Sequence, residues 1–284
     1  MGIGDPADGG AEADGGGPLL RLEGVAIGYR RPGGYVPAVE GADFEVQRGE
    51  TTMLLGPSGC GKSTLLKAVA GFLRPDAGRI TFNGRADLTP GPDRAVVFQE
   101  LDQLFPWRTV LGNVAYALRA TGTPRAEARE RAREHVELMG LGHALDRYPH
   151  QLSGGMKQRV AIARAFALSP LMLLMDEPFG SLDAQTRDRL QRELSERARR
   201  TDVTILFVTH SIDEAVLLGD RVVVLGGRPS RVRDIVGVTG VERPDSEEFI
   251  EARRRLRALL AADDAAGPHH APDDAEEPRH AAVD

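Results

Sequence analysis

The chain has 284 residues, 41% hydrophobic and 27% charged, which fits an ordinary globular protein of one large or two modest domains with a sizeable core. Its net charge of −6 gives no support to a nucleic-acid partner, and its one cysteine, Cys60, excludes an internal disulfide framework. The longest apolar runs, LMLLM at 171–175 and VTILFV at 203–208, are strand-sized and fall short of the roughly 18 residues of a membrane span.

Residues 1–17, MGIGDPADGGAEADGGG, are expected to form a disordered leader, because Gly, Ala and Asp cannot repay the entropy of ordering. The segment has neither the basic start nor the apolar stretch of a signal peptide, so the chain is expected to be cytoplasmic, with any membrane role reached through a partner. LLRLEGVAIGY (19–29) and ADFEVQRGE (42–50) read as strands with turn residues between them. TMLLG (52–56) is a short apolar strand, KSTLLKAVAGFL (62–73) a helix, and GRITFNG (78–84) and RAVVF (94–98) further strands. From Leu111 to Arg147 the pattern turns helical. Thr123 is placed to cap a helix that Pro124 opens and that Gly140 and Gly142 close, and Glu127 with Arg131 forms an i,i+4 pair.

Buried-type strands return at LMLLMD (171–176), VTILFVT (203–209) and DRVVVLG (220–226), with the charged helix AQTRDRLQRELSERARR between the first two. Strands alternating with helices predict a mostly parallel α/β sheet, with the 111–147 stretch as a helical insertion. DSEEFIEARRRLRALL (245–260) is a last helix, Asp245 and Glu248 being spaced as a capping box. The acidic, breaker-rich tail beyond it holds His269, His270 and His280. With no Cys or spaced second pair beside them, these read as a solvated tail rather than a metal site.

Two places carry chemistry. Gly56 to Ser63 satisfies G-x-x-x-x-G-K-S between a strand and a helix, the setting in which backbone N–H groups of Gly59, Gly61 and Lys62 cradle phosphate at a helix N-terminus. Lys62 reaches the β- and γ-phosphates, and the Ser63 hydroxyl suits Mg²⁺. Of 36 basic residues only Lys62, Lys67 and Lys157 are lysines; one stands in the loop, where a compact ammonium fits and a planar guanidinium does not. Cys60 lies near a helix N-terminus, which lowers a thiol pKa, and also serves as a small residue supplying a backbone N–H. Asp176 and Glu177 stand at the carboxyl end of an apolar strand, where α/β folds place ligand chemistry. Asp176 suits the Mg²⁺ shell opposite Ser63, and Glu177 suits a water attacking the γ-phosphate.

Taken together, these residues resemble the nucleotide-binding subunit of ATP-binding cassette transporters over about residues 19–230. LSGGMKQ (152–158) resembles the family's signature motif with Met156 in place of the usual glutamine, and GSLDA (180–184) its D-loop. The resemblance implies a P-loop NTPase (RecA-like) core with an antiparallel β subdomain and an inserted α-helical subdomain. It places the cassette at 18–238 (helical subdomain about 100–165), a helical extension at 239–261 and a disordered acidic tail at 262–284. The nucleotide site then takes Gly56, Pro57, Ser58, Gly59, Cys60, Gly61, Lys62, Ser63, Thr64 and Asp176. Tyr29 stacks on adenine, with Tyr35 as its rival. Ser63, Gln99 and Asp176 hold Mg²⁺, and Glu177, His210 and Gln99 act on the γ-phosphate and its water. Ser153, Gly154 and Gly155 complete the site of a second copy bound head to tail.

The stretch 91–118, with Phe105, Pro106 and Trp107, and RPSR at 228–231 resemble the nitrate/sulfonate/taurine importer group. That implies integral membrane permease subunits, an external solute-binding protein acting indirectly, and a place at the cytoplasmic face of the membrane. Trp107 is read either as part of the permease-receiving surface or as buried in the helical insertion. Ser181 and Ser211 depart from the common alanine and aspartate. A cassette that signals or does mechanical work through a membrane partner shares the same sequence logic. The transported solute is chosen by proteins other than this chain.

Overall fold

The computed structural model describes residues 17–264 apart from 181 and 242. The expected leader up to residue 16, and the tail from 265 with His269, His270 and His280, lie outside the described residues.

Strands β1 (Leu20–Arg31) and β2 (Gly34–Val46) form a hairpin, so β2 begins well before the expected residue 42. With β4 (Ala77–Phe82) they make a three-stranded antiparallel sheet in the order β2-β1-β4. Gly78 shows how tightly β4 meets β1: its φ is +77°, and a Cβ there would stand 2.3 Å from the Gly24 carbonyl oxygen.

The second sheet has six strands, ordered β5-β6-β7-β3-β8-β9. These are β3 (Thr51–Leu55), β5 (Arg94–Val97), β6 (Met172–Asp176), β7 (Thr204–Thr209), β8 (Arg221–Gly226) and β9 (Arg231–Gly237). All neighbours pair in parallel except β8 with β9. Parallel strands covered on both faces read as continuous apolar runs, and β6 and β7 are buried at every position. Alternation then sorts their side chains into two cores. Leu173, Met175, Ile205 and Phe207 join one cluster with the helical insertion, while Leu174, Leu206 and Val208 join the other with α1 (Lys62–Val69) and the antiparallel sheet.

Phe207 is fully buried and packs 5.7 Å from the Phe179 ring. Phe207→Ala should lower the unfolding free energy by about 3–5 kcal/mol, the cost of an aromatic-sized cavity, read from a urea titration.

Helices α2 (Val110–Ala120), α3 (Arg125–Leu138) and α4 (Gly154–Ala167) pack together beside β5. Fully buried Asn113 ties down the segment before α2, accepting from the Phe105 N–H and donating to the carbonyls of Phe105, Arg108 and Thr109. Trp107 is thereby left 70% exposed, so it is a surface residue and not part of the insertion's core.

Some local expectations change. α1 stops at Val69, short of residue 73, because Gly71 turns to φ +82°. Pro124 occupies the N-cap of α3 itself, without a side-chain cap from Thr123. Gly140, at φ +68°, ends that helix, whereas Gly142 opens a short 3-10 turn to Ala144. The Glu127–Arg131 pair is present at 3.5 Å. The charged helix is α5 (Ala184–Thr201), followed after β7 by the short α6 (Ile212–Leu218). The last helix, α7 (Glu247–Asp264), starts two residues after the expected 245 and runs past the expected 260. Its first turn is capped by Ser246, which accepts from the Phe249 N–H, while Arg243 takes the Asp245 carboxylate. No helix among the described residues is long and apolar enough to cross a membrane.

Candidate functional site

The carboxyl ends of β3, β6 and β7 bring the predicted residues together. β3 runs into the loop Gly56–Gly61, and α1 starts at Lys62. Gly59 and Gly61 have φ of +75° and +97°, left-handed conformations that glycine adopts without a steric penalty. A Cβ on Gly61 would lie 2.8 Å from the Ala38 carbonyl oxygen, and one on Gly56 would lie 2.7 Å from that of Leu225. These contacts require glycine at both ends of the loop. Cys60 is buried inside the loop, which fits the small packing residue better than an accessible thiol.

Lys62 is almost fully buried, and its Nζ donates to the carbonyls of Gly56 and Pro57, each at 2.9 Å. The ammonium is thus held within the loop by the loop's own backbone. Glu177 Oε1 stands 3.8 Å away. Ser63 Oγ donates to Asp176 Oδ1 at 2.9 Å.

Burial pushes the Asp176 carboxyl up; the Ser63 hydrogen bond opposes this and the neighbouring Glu177 adds to it. Lys67 draws the carboxyl down in part but does not cancel the burial, and a cation beside Ser63 and Asp176 would favour the charged carboxylate further. Among the described residues no group of three or more His, Cys, Asp or Glu forms a metal cage. A hydroxyl and one carboxylate fit Mg²⁺, which takes its remaining oxygens from phosphate and water.

Glu177 follows β6 with φ +42°, a left-handed conformation that is uncommon outside glycine and concentrates at functional sites. Its Oε2 lies 2.9 Å from His210 Nδ1 at the end of β7. Gly180 faces both Gln99 and Glu177: a Cβ there would lie 3.4 Å from Gln99 Nε2 and 3.9 Å from Glu177 Oε2. Thus Gln99, Glu177 and His210 converge on one spot beside Lys62. Ser211 caps α6 by accepting from the Glu214 N–H, so serine can do the capping work of an aspartate there.

Tyr29 and Tyr35 part company. The Tyr29 hydroxyl is 2.9 Å from Thr64 Oγ1, at the end of the phosphate loop. Tyr35 donates to Asp76 and lays its ring over Gly28, where a Cβ would come within 2.4 Å of it.

Ser153, Gly154 and Gly155 stand apart. Ser153 is exposed and caps α4, accepting from the Met156 N–H at 3.3 Å. Gly155 lets α4 approach α5, since a Cβ there would lie 2.6 Å from Thr186 Cγ2. α4 packs on α2, α3 and β5, whereas α1 packs on β2, β6 and β7. Among the described residues no hydrogen bond joins Ser153–Gly155 to the phosphate loop of the same chain. Sequence reasoning did not find a role for Arg228, which donates to the Ser58 carbonyl at 3.1 Å; its one signal was the RPSR stretch.

A family model described as "ABC transporter" matches residues 39–180. An uncharacterised ABC transporter ATP-binding protein of Methanocaldococcus jannaschii is 46% identical over 244 residues, covering 85% of this chain and 91% of that one. The taurine import ATP-binding protein TauB of Rhizobium johnstonii is 46% identical over 253 residues, covering 85% and 96%. The bicarbonate transport ATP-binding protein CmpC of Synechocystis is 47% identical over 221 residues; the match takes in 77% of this chain and spans 33% of that longer protein. A solved dimeric ATP-binding cassette in a post-hydrolysis state, bound to ADP and Pi, superposes with a TM-score of 0.69 at 28% identity, covering 78% of this chain and all of that one.

Proposed function

Because the chain belongs to the ABC transporter family, we propose that it is the ATP-binding and ATP-hydrolysing subunit of an importer for a small solute of the nitrate, sulfonate or taurine kind. The observation that carries the reading is the convergence of Lys62, the Ser63–Asp176 pair and the Glu177–His210 pair at one end of the parallel sheet. Residues 18–238 are taken as the cassette, with about 100–165 as its helical subdomain and 239–261 as an appended extension.

The phosphate loop binds the triphosphate through its inward N–H groups and Lys62, whose ammonium exchanges backbone carbonyls for phosphate oxygens. Mg²⁺ held by Ser63 and Asp176, with Gln99 beside them, would neutralise charge on the phosphates. Glu177 orients the attacking water and accepts its proton, His210 holds that carboxylate in place, and Tyr29 lies where it can stack on the base. A second copy bound head to tail contributes Ser153, Gly154 and Gly155. Permease subunits at the cytoplasmic face of the membrane, supplied with solute by an external binding protein, would turn closing and opening of the pair into transport. The exposed Trp107 packs beside Phe105, which in turn meets the exposed Tyr116, and these rings offer them an aromatic surface.

Lys62→Ala should weaken ATP binding by at least about tenfold, since it removes a buried ammonium from a polyphosphate site. Equilibrium binding of a fluorescent ATP analogue measures it, and unchanged affinity contradicts the loop assignment. The importer reading predicts that a permease co-purifies and that its loaded binding protein stimulates hydrolysis.

A further inference from the structure

The turn between β8 and β9 lies against the phosphate loop. It is fastened to the end of β2. Fully buried Ser230 donates its N–H to the Ala38 carbonyl at 2.9 Å and accepts from the Glu40 N–H at 2.8 Å, and Arg231 pairs with Glu40 at 3.0 Å. The same stretch of β2 walls the loop at Gly61, as the close approach of Ala38 shows. Arg228 is thereby carried onto the loop at Ser58 and Gly59. Its Nη2 donates to the Ser58 carbonyl at 3.1 Å and lies 3.3 Å from where a Cβ on Gly59 would stand. Among the described residues no carboxylate lies within ion-pair distance of it.

A trans peptide points its C=O and the next N–H in opposite directions. Fixing the Ser58 carbonyl toward Arg228 therefore fixes the Gly59 N–H away from Arg228, the side on which the ATP-loop reading places phosphate. We propose that Arg228 is a positioning residue of the ATP site, holding the Ser58–Gly59 peptide in the orientation that presents its N–H to phosphate. Without that anchor the peptide is free to flip, because Gly59 accepts either hand of φ. The role rests on the reading of Gly56–Thr64 as the ATP loop.

The test uses the full-length protein and three variants: Arg228→Ala, Arg228→Lys and Lys62→Ala. Arg228→Ala should raise the Kd and KM for ATP about three- to tenfold, the range of one charge-assisted hydrogen bond at an exposed site. Its kcat and the Tm of the nucleotide-free protein should match the parent. Arg228→Lys still donates to a carbonyl and should recover most of the loss. If Lys62→Ala binds ATP normally, the loop reading itself fails. If Lys62→Ala loses ATP while Arg228→Ala keeps the parent KM, the role of Arg228 alone is overturned. A fall in Tm and kcat with unchanged KM also overturns it, since that is the mark of a residue that only holds the fold.

Discussion

Glu177→Gln is expected to bind ATP within about twofold of the parent and to hydrolyse it about 10²–10⁴ times more slowly, the contribution of a positioned general base. The amide keeps the size of the carboxylate and can still meet His210 Nδ1, which lies 2.9 Å from Oε2. It cannot take a proton from water. Backbone strain does not confuse the comparison, because both side chains face the same cost at the φ of +42°. Binding is preserved because Lys62 is held by the carbonyls of Gly56 and Pro57 as well as facing Glu177. Single-turnover hydrolysis and nucleotide titration separate the two quantities. Light scattering should show ATP-bound dimers accumulating, because the step that releases them is blocked. Near-normal turnover removes Glu177 as the base.

The sequence disclosed the parts of this site that are local along the chain. The phosphate loop and the Asp176–Glu177 pair are fixed by spacing and by the apolar strands that precede them. Parts that depend on contacts between distant segments were less legible. Tyr29 and Tyr35 sit on the two arms of one hairpin, paired with Val36 and Arg30, and periodicity alone cannot separate them. Thr64 and Asp76 decide, one drawing Tyr29 to the loop and the other drawing Tyr35 away.

Strand β9 escaped because RVRDIVG interrupts its apolar residues with three charged ones at a sheet edge, partly exposed, and so lacks the continuous apolar run of its parallel neighbours. The cap of α7 moved from Asp245 to Ser246 because Arg243 competes for the carboxylate, and adjacent cap-forming residues look alike in sequence. Arg228 was invisible for the same reason as Tyr29. Its partner Ser58 lies 170 residues away.

Two variants that are each inactive should restore hydrolysis when mixed. Ser153 is exposed at the start of α4, and Gly154 and Gly155 form the helix's first turn, the kind of N-terminus that favours an anion. Within one chain these groups make no hydrogen bond to Lys62 or its loop among the described residues, and the proposed dimer gives them the phosphate bound by the partner's loop. In a head-to-tail pair each ATP takes its loop from one chain and its second cradle from the other. Lys62→Ala spoils a site through the loop, and Ser153→Arg spoils it by filling the opposite cradle with a long side chain. In a mixed dimer both lesions fall on the same site, and the other site is built from intact parts.

Random mixing gives about half mixed dimers, as expected for a symmetric pair, so hydrolysis of up to about a quarter of the parent rate is expected. Loss of the Ser153 cap costs only about 1 kcal/mol, small enough to leave the fold intact, which a thermal melt checks. Differently tagged protomers purified through both tags establish that mixed dimers form. If they form and hydrolyse no faster than either variant alone, Ser153 does not act across the dimer. If they recover activity, the dimer is part of the active site, because neither chain in it holds a complete one.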